Sequence, residues 1–384
     1  SAKRCHSEPV TVSLAWESAS PCAAVLLSRR AGPVCPAVKH AYRAAEHMGP
    51  ALQSRCGDPP SPIPPKRGDL MDNTVLCVVG PTACGKTKMG VALARRFNGE
   101  VVSVDSMQLY RGMAIGTAAP TAEEMEGIPH HMVAVADPRE SWSAARYAAE
   151  ADKCVQDILR RGKRPVLVGG TGLYLDALVR GTDFAAGSHG GAIRQQLQQR
   201  MERQGAAALL AELQTIDPAA AARLHLRDEK RIVRALEVYY ETGETITEHD
   251  RKSRETPPRY RALRIGLAFR DRADMWARID RRVDDMVAQG LLQEVETLLQ
   301  SGLPHDATAL QAIGYKQFLA VAEGRATVDE AIAEVKLRSR QYAKRQLTWL
   351  RRDEDIHWIL WEKTPDFPAG LQNATEFLLS AGVC

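Results

Sequence analysis

The chain is predicted to fold as an α/β protein with a parallel sheet flanked by helices, and three patterns in the sequence predict it. From Met71 onward short apolar runs alternate with amphipathic stretches, the order expected when each strand crosses through a helix to a parallel neighbour. The glycine-rich segment Gly80–Thr87 falls between the first apolar run and the first amphipathic stretch. From about Gly191 to Thr242 the strand signals vanish and Ala, Leu, Gln and Arg dominate, which predicts a helical insertion.

Residues 1–70 are rich in Pro, Ser, Ala and Arg without helical or strand period, and they end in Pro59, Pro60, Pro62, Pro64 and Pro65; a disordered extension is expected there. A compact core begins a few residues before its first strand, and Met71 stands just ahead of Thr74–Val79. The extension therefore reads as a mis-called start, with an Arg- and Ala-rich, acid-poor targeting peptide as the alternative. Strands are predicted at Val75–Val79, Glu100–Val104 and Pro165–Val168 and, after the insertion, at Tyr260–Leu267 and Ile356–Leu360. Helices are predicted at Lys86–Phe97, Ala144–Arg161, Met275–Gln300, Thr327–Arg351 and Pro368–Ser380. The expected organisation is a core of residues 71–185 and 255–384, ending in basic helices, with the insertion at 186–254.

At 384 residues and 45% apolar, the chain is long enough to bury a sizeable core. Its net charge of +4 is too small to argue for a polyanionic partner, so only local clustering of Lys and Arg can. The eight cysteines have no metal-ligand spacing, and Cys5, Cys22, Cys35 and Cys56 lie in the extension; reduced thiols and a cytoplasmic setting are expected. No apolar run approaches the roughly 20 residues that cross a bilayer. The stretch Val10–Leu27, interrupted by Glu17, Ser18, Ser20 and Pro21, makes a poor signal-peptide core. No membrane contact is expected, and a monomer is.

Gly80-Pro81-Thr82-Ala83-Cys84-Gly85-Lys86-Thr87 fits G-x-x-x-x-G-K-[ST], and a strand before it with a helix after it is the context that gives the motif its meaning. The core is thus expected to be P-loop NTPase-like. Backbone N–H groups and the helix N-terminus make an anion nest, Lys86 adds a point charge, and Thr87 offers a hydroxyl to Mg²⁺. The later strand Pro165–Val168 runs into Gly169-Gly170-Thr171-Gly172 with no Walker-B aspartate, which argues against a motor ATPase. An acid instead follows the second strand, in Asp105-Ser106-Met107-Gln108. Asp105 is a candidate general base beside bound phosphates; a helix N-cap is its other reading, and the two are compatible.

GPTACGKT, DSMQLYRGMAIGTAAPT, IPHHMVAVADP and VLVGGTGLYLDAL stand in order, followed by RALEVYYETG, RIDRRVDDMVAQGLLQEV, QAIGYKQ and YAKRQLTWLRR. From about Met71 to Arg352 this set resembles the tRNA dimethylallyltransferases, the tRNA isopentenyltransferase family, in its bacterial type. The resemblance implies transfer of a dimethylallyl group from dimethylallyl diphosphate to N6 of the adenosine 3′ of the anticodon in a tRNA anticodon stem-loop, without ATP consumption. Gly80–Thr87 then holds the diphosphate leaving group with Mg²⁺, and Arg278 and Arg272 match basic positions expected beside it. The resemblance also makes Asp105 the base, assigns Asp105, Ser106, Met107 and Gln108 to a flipped adenine, and places Thr171 in the channel where base and prenyl chain meet.

Lys336, Arg338, Arg340, Lys344, Arg345, Arg351 and Arg352 share one predicted helix, with Gln341, Arg345, Thr348 and Arg352 on one face that can track a phosphate backbone. The resemblance assigns Lys344, Arg345, Gln346, Thr348, Trp349 and Arg351 to tRNA; taken alone, Trp349 reads as a core residue or a stacking platform. It adds Gln311, Gly314, Tyr315 and Lys316 as a second block, and Arg194, Lys230, Arg231 and Arg234 in the insertion as a third. Cys84 stands where Ser or Ala is common, and Lys230 where Gln is expected. Adjacent His130 and His131 read as structural, since neighbours in sequence rarely turn to one ion. The rival readings are a P-loop kinase of a small metabolite, a prenyltransferase of free adenine nucleotide, and a nucleotide-dependent RNA-binding switch.

Overall fold

The computed structural model of the chain describes residues 73–181 and 191–383, so the disorder expected of residues 1–70 lies outside the described residues. β1 (Thr74–Val79), α1 (Lys86–Arg96) and β2 (Gly99–Val104) open the fold, and β1 and β2 are buried at every residue. Two single-turn helices, α2 (Ala114–Thr117) and α3 (Ala122–Met125), and a two-residue strand β3 (His130–His131) precede α4 (Ala144–Arg160), β4 (Arg164–Gly169) and α5 (Gly172–Arg180). The insertion supplies α6 (Ala192–Ile216), broken by non-helical backbone at Gly205, then α7 (Pro218–Ala221), α8 (Glu229–Thr242) and α9 (Ile246–Glu255). β5 (Arg261–Phe269), α10 (Arg272–Ala288), α11 (Leu291–Gln300), a 3-10 turn (Thr308–Gln311), α12 (Tyr315–Ala322), α13 (Val328–Leu350), β6 (Ile356–Trp361) and α14 (Phe367–Ser380) complete it.

The six strands form one sheet in the order β3-β2-β4-β1-β5-β6, every pairing parallel. Such a sheet is covered on both faces, which is why its strands are apolar runs and not alternating ones. One apolar cluster joins β1 and β2 side chains to Tyr147, Val155 and Ile158 of α4, Leu175 and Leu178 of α5, and Val295, Tyr315 and Phe318. The other packs Met89 and Leu93 of α1, Ile279 of α10, Ala343 of α13 and Leu378 of α14 against the opposite face. The insertion encloses its own cluster around Leu197, Leu209, Leu213, Ile232 and Leu236, within the compact unit that begins at Leu70.

Two predicted helices change at their ends for local reasons. The stretch Met275–Gln300 breaks after Ala288, because Gly290 takes φ 102° and restarts the chain as α11. The helix predicted to reach Arg351 stops at Leu350, with Arg351 as its C-cap and Arg352 beyond it. Glu100, at the N-terminal end of β2, is buried and takes hydrogen bonds from Arg161, Lys163 (2.8 Å) and His131 (2.8 Å). The Arg161 guanidinium, first among these, holds that carboxyl well below the usual carboxylate range. His130 turns instead to the Ile128 carbonyl at 2.8 Å, so the histidine pair serves two separate structural partners. This charged cluster sits at the opposite end of the strands from the loops described next.

Candidate active site and nucleic-acid interface

Three loops leave the C-terminal ends of neighbouring strands: Gly80–Gly85 after β1, Asp105–Gln108 after β2, and Gly170–Thr171 after β4. In an open parallel sheet this edge, near the point where strand order reverses, is where ligands bind. The carbonyls of the phosphate loop are held from outside. Lys86 Nζ donates to Pro81 O (2.7 Å), Arg278 Nε to Ala83 O (2.7 Å) and Trp361 Nε1 to Cys84 O (2.9 Å). The Arg282 guanidinium donates to Thr82 Oγ1 (3.2 Å). No side chain caps the first turn of α1 behind Gly85, which leaves its N–H groups and the positive helix end for an anion. Burial lowers the Lys86 ammonium below the lysine range, and the nearby Asp105 charge opposes that shift. Burial likewise lowers Arg282, again opposed by Asp105. An anion on the loop would relieve both.

Asp105 does not cap a helix. Its Oδ1 closes a turn by accepting from Met107 N (2.9 Å) and Gln108 N (3.3 Å), and Oδ2 has no protein partner among the described residues. Ser106 N donates to Thr171 Oγ1 (3.3 Å), tying the Asp105 loop to the loop after β4. Tyr342 of α13 lies close enough to Asp105 to feel its charge. Burial, then the Asp105 charge, push its phenol up to about 12. Gln346 is buried, and it bridges two loops by accepting from Thr82 N (2.9 Å) and donating to Gly170 O (3.0 Å). The close approach of α13 explains the glycines. A Cβ at Gly170 would fall 2.2 Å from Gln346 Nε2, and one at Gly172 would fall 2.2 Å from the Trp349 ring.

The solvent side of α13 faces the insertion across a cleft of about 540 Å³ lined by Arg231, Gln341, Lys344, Arg345, Thr348, Trp349 and Arg352. Four of these are cations and none is an acid. Trp349 is 40% exposed, so the core reading gives way to a ring in the cleft, with Arg352 over it at 5.8 Å. Arg345 lies over Tyr342 at 5.6 Å. Among the described residues, neither Lys344 nor Arg345 forms an ion pair, whereas Lys336 pairs with Asp284, Arg338 with Glu334 and Arg340 with Asp280.

The other expected site residues are placed variously. Lys230 and Arg231 are exposed, but Arg194 (3.0 Å) and Arg234 (2.8 Å) both donate to the buried Glu237. Gln311 and Lys316 are exposed, Gly314 and Tyr315 buried. Arg272 lies over the Trp276 ring at 4.6 Å, with no hydrogen bond to the loop. Sequence reasoning missed Arg282 and Tyr342; the four-residue step from Arg278, and that from Gln346 back to Tyr342, were the signals that placed each on the facing side of its helix. Among the described residues no group of three or more His, Cys, Asp or Glu is placed to hold a metal, and no helix is long and apolar enough to cross a membrane.

Fold and site define a P-loop α/β protein that places a glycine-rich loop with an uncapped helix behind it, a carboxylate and a cationic cleft along one sheet edge. A model of the IPP transferase family matches residues 108–353, and one described as isopentenyl transferase matches residues 73–141. The tRNA dimethylallyltransferase of Carboxydothermus hydrogenoformans is 44% identical over 289 residues, 75% of this chain and 92% of the relative. The crystal structure of the full-length tRNA isopentenylpyrophosphate transferase of Bacillus halodurans is similar with TM-score 0.60 and 40% identity, over 80% of this chain and 96% of that one. A eukaryotic dimethylallyltransferase, whose crystallographic snapshots describe it acting on tRNA, gives TM-score 0.67 at 31% identity over 79% of this chain and 77% of that one. The chain belongs to the IPP transferase family.

Proposed function

We infer that the chain is a tRNA dimethylallyltransferase, which moves the dimethylallyl group of dimethylallyl diphosphate to N6 of the adenosine 3′ of the anticodon and releases diphosphate. The observation that carries the reading is the bridge made by α13: one face of this helix lines the cationic cleft while Gln346 holds both Thr82 of the phosphate loop and Gly170 beside Thr171. A kinase of a small metabolite has no use for that cleft, and neither has a prenyltransferase of free nucleotide.

In this reaction the C–O bond between the allylic carbon and the diphosphate breaks, a C–N bond to N6 forms, and the amine proton leaves. An adenine amine is a weak nucleophile because its lone pair is delocalised into the ring, so both partners need help. The phosphate loop, Lys86, Arg278 and Arg282 meet the negative charge that grows on the leaving diphosphate. Asp105, whose Oδ2 has no protein partner among the described residues, takes the amine proton. Thr171, whose Oγ1 accepts from Ser106 N, lines the passage between the two. Mg²⁺ fits the loop in one respect that its residues display: the Thr87 hydroxyl, in the first turn of α1, has no hydrogen-bond partner among the described residues. Thr87 would hold the ion, which when bound neutralises diphosphate charge. The cationic cleft holds the anticodon stem-loop from the solvent side, where a base of an unpaired loop is least costly to unstack. A cytoplasmic monomer suits this substrate.

Incubation with labelled dimethylallyl diphosphate and Mg²⁺, offered tRNA or AMP, is expected to label tRNA alone; label in AMP and not in tRNA overturns the reading. Arg345→Ala is expected to weaken tRNA binding and to lower the slope of log Kd against log salt by about 1, as loss of one phosphate contact does. Titrations across a potassium chloride series measure it, and an unchanged slope would remove Arg345 from the interface.

A further inference from the structure

α11 reaches the active-site edge through one carboxylate. Glu294, in its first turn, accepts hydrogen bonds from Ile115 N (Oε2, 2.9 Å), from Gly116 N (Oε1, 3.0 Å) and from the Tyr315 hydroxyl. The two amides open the single-turn helix α2, whose N-cap Met113 offers no side-chain acceptor. Tyr315 is fully buried, and burial first, then the Glu294 charge, drive its phenol far above the tyrosine range. Packing at this point has no slack, since a Cβ on Gly116 would lie 2.4 Å from the Tyr315 ring and 2.9 Å from Leu291.

The far end of α2 carries the carbonyls of Thr117 and Ala118, which accept from the Gln108 carboxamide at 3.4 and 3.1 Å. On its other side the Gln108 Oε1 accepts from Ser103 Oγ (2.9 Å). A helix of four residues has little stability of its own. Its placement, and with it the aim of Gln108, therefore depends on what holds its first turn. Among the described residues the side chain that does so is Glu294, 179 positions away from Ile115 in sequence.

We propose that Glu294, backed by Tyr315, is a positioning residue for the transfer reaction: it clasps α2 and so fixes the segment Asp105–Ala118 against which the acceptor base is held. This rests on the assignment of Asp105–Gln108 to the acceptor made above. None of the clasp's hydrogen bonds touches the phosphate loop or the cationic cleft, so it governs the acceptor side alone.

The test compares Glu294→Ala, Glu294→Gln and Tyr315→Phe with the wild-type chain in steady-state transfer to tRNA, in calorimetric binding of inorganic pyrophosphate, and in hydrogen exchange of the peptide spanning Met113–Ala119. Glu294→Ala is expected to lower kcat/KM for tRNA about 30-fold, to leave pyrophosphate affinity within about twofold, and to speed exchange at Ile115 and Gly116. Glu294→Gln, whose one carboxamide oxygen can accept from only one of the two amides, restores only part of that loss, and Tyr315→Phe costs about threefold. Wild-type tRNA kinetics in Glu294→Ala overturn the proposal, as does an equal fall in pyrophosphate affinity. If the alanine variant does not fold, wild-type kinetics in both of the others overturn it. Failure of the wild-type chain to modify tRNA, with the exchange result intact, counts against the assigned reaction and leaves the clasp standing.

Discussion

Asp105→Asn is expected to lower kcat about 10³-fold while tRNA affinity stays within about a factor of two. The asymmetry of the carboxylate makes this substitution informative. Oδ1 is committed to the turn through Met107 N and Gln108 N, and an asparagine oxygen can keep both bonds. Only the basic oxygen is lost, so a fall in turnover reports proton removal and not collapse of the loop. Asp105→Ala removes both functions; it should match the asparagine variant in kcat and add a loss in tRNA affinity. Tyr342 cannot stand in as the base, because a phenol pushed up to about 12 stays protonated at neutral pH. Lys86 cannot either while its ammonium faces a diphosphate. Single-turnover transfer at saturating tRNA, with filter binding for affinity, checks the prediction. An asparagine variant with near-normal turnover would leave Asp105 a turn residue only.

How much of this was legible in the sequence depends on the range of the interactions involved. The phosphate loop was readable because its motif and its flanking strand and helix are contiguous, and Asp105 because it ends an apolar run. The parallel sheet was readable from apolar runs such as Val75–Val79 and Pro165–Val168, which are buried throughout. α2 and β3 were not, since a single turn and a two-residue edge strand exist through distant partners such as Glu294 and β2. Gln346 was grouped with the cations beside it in YAKRQLTWLRR, yet the helical period separates them. Ala343, Gln346 and Leu350 fall on the buried face, and Lys344, Arg345 and Thr348 on the exposed one. Arg234 could have been matched to Glu237 three residues on, but Arg194, 43 positions from that acid, could not. Arg282 was obscured by its setting, because it is one of four arginines in a helix of mixed charge, and these read as solvated until the loop that Arg278 and Arg282 contact is known.

Lys86→Met is expected to lower kcat by a factor of about 10² to 10³ with tRNA affinity preserved, because it removes a preorganised charge from the place where negative charge develops and leaves the cleft untouched. Methionine keeps most of the buried stem, so the change isolates the ammonium. That ammonium donates to Pro81 O at 2.7 Å. Burial has lowered its affinity for the proton, and a bound diphosphate raises it again. Binding therefore selects the protonated form. As pH rises through the lowered ammonium pKa of the free loop, pyrophosphate affinity should fall, and the fall should begin below the range in which an ordinary lysine titrates. In Lys86→Met the same titration should lack that limb. Calorimetric pyrophosphate affinities across alkaline pH, for both chains, decide it: an unaltered limb in the variant would assign the titration to another group, and unaltered kcat would remove Lys86 from the stabilisation of the leaving diphosphate.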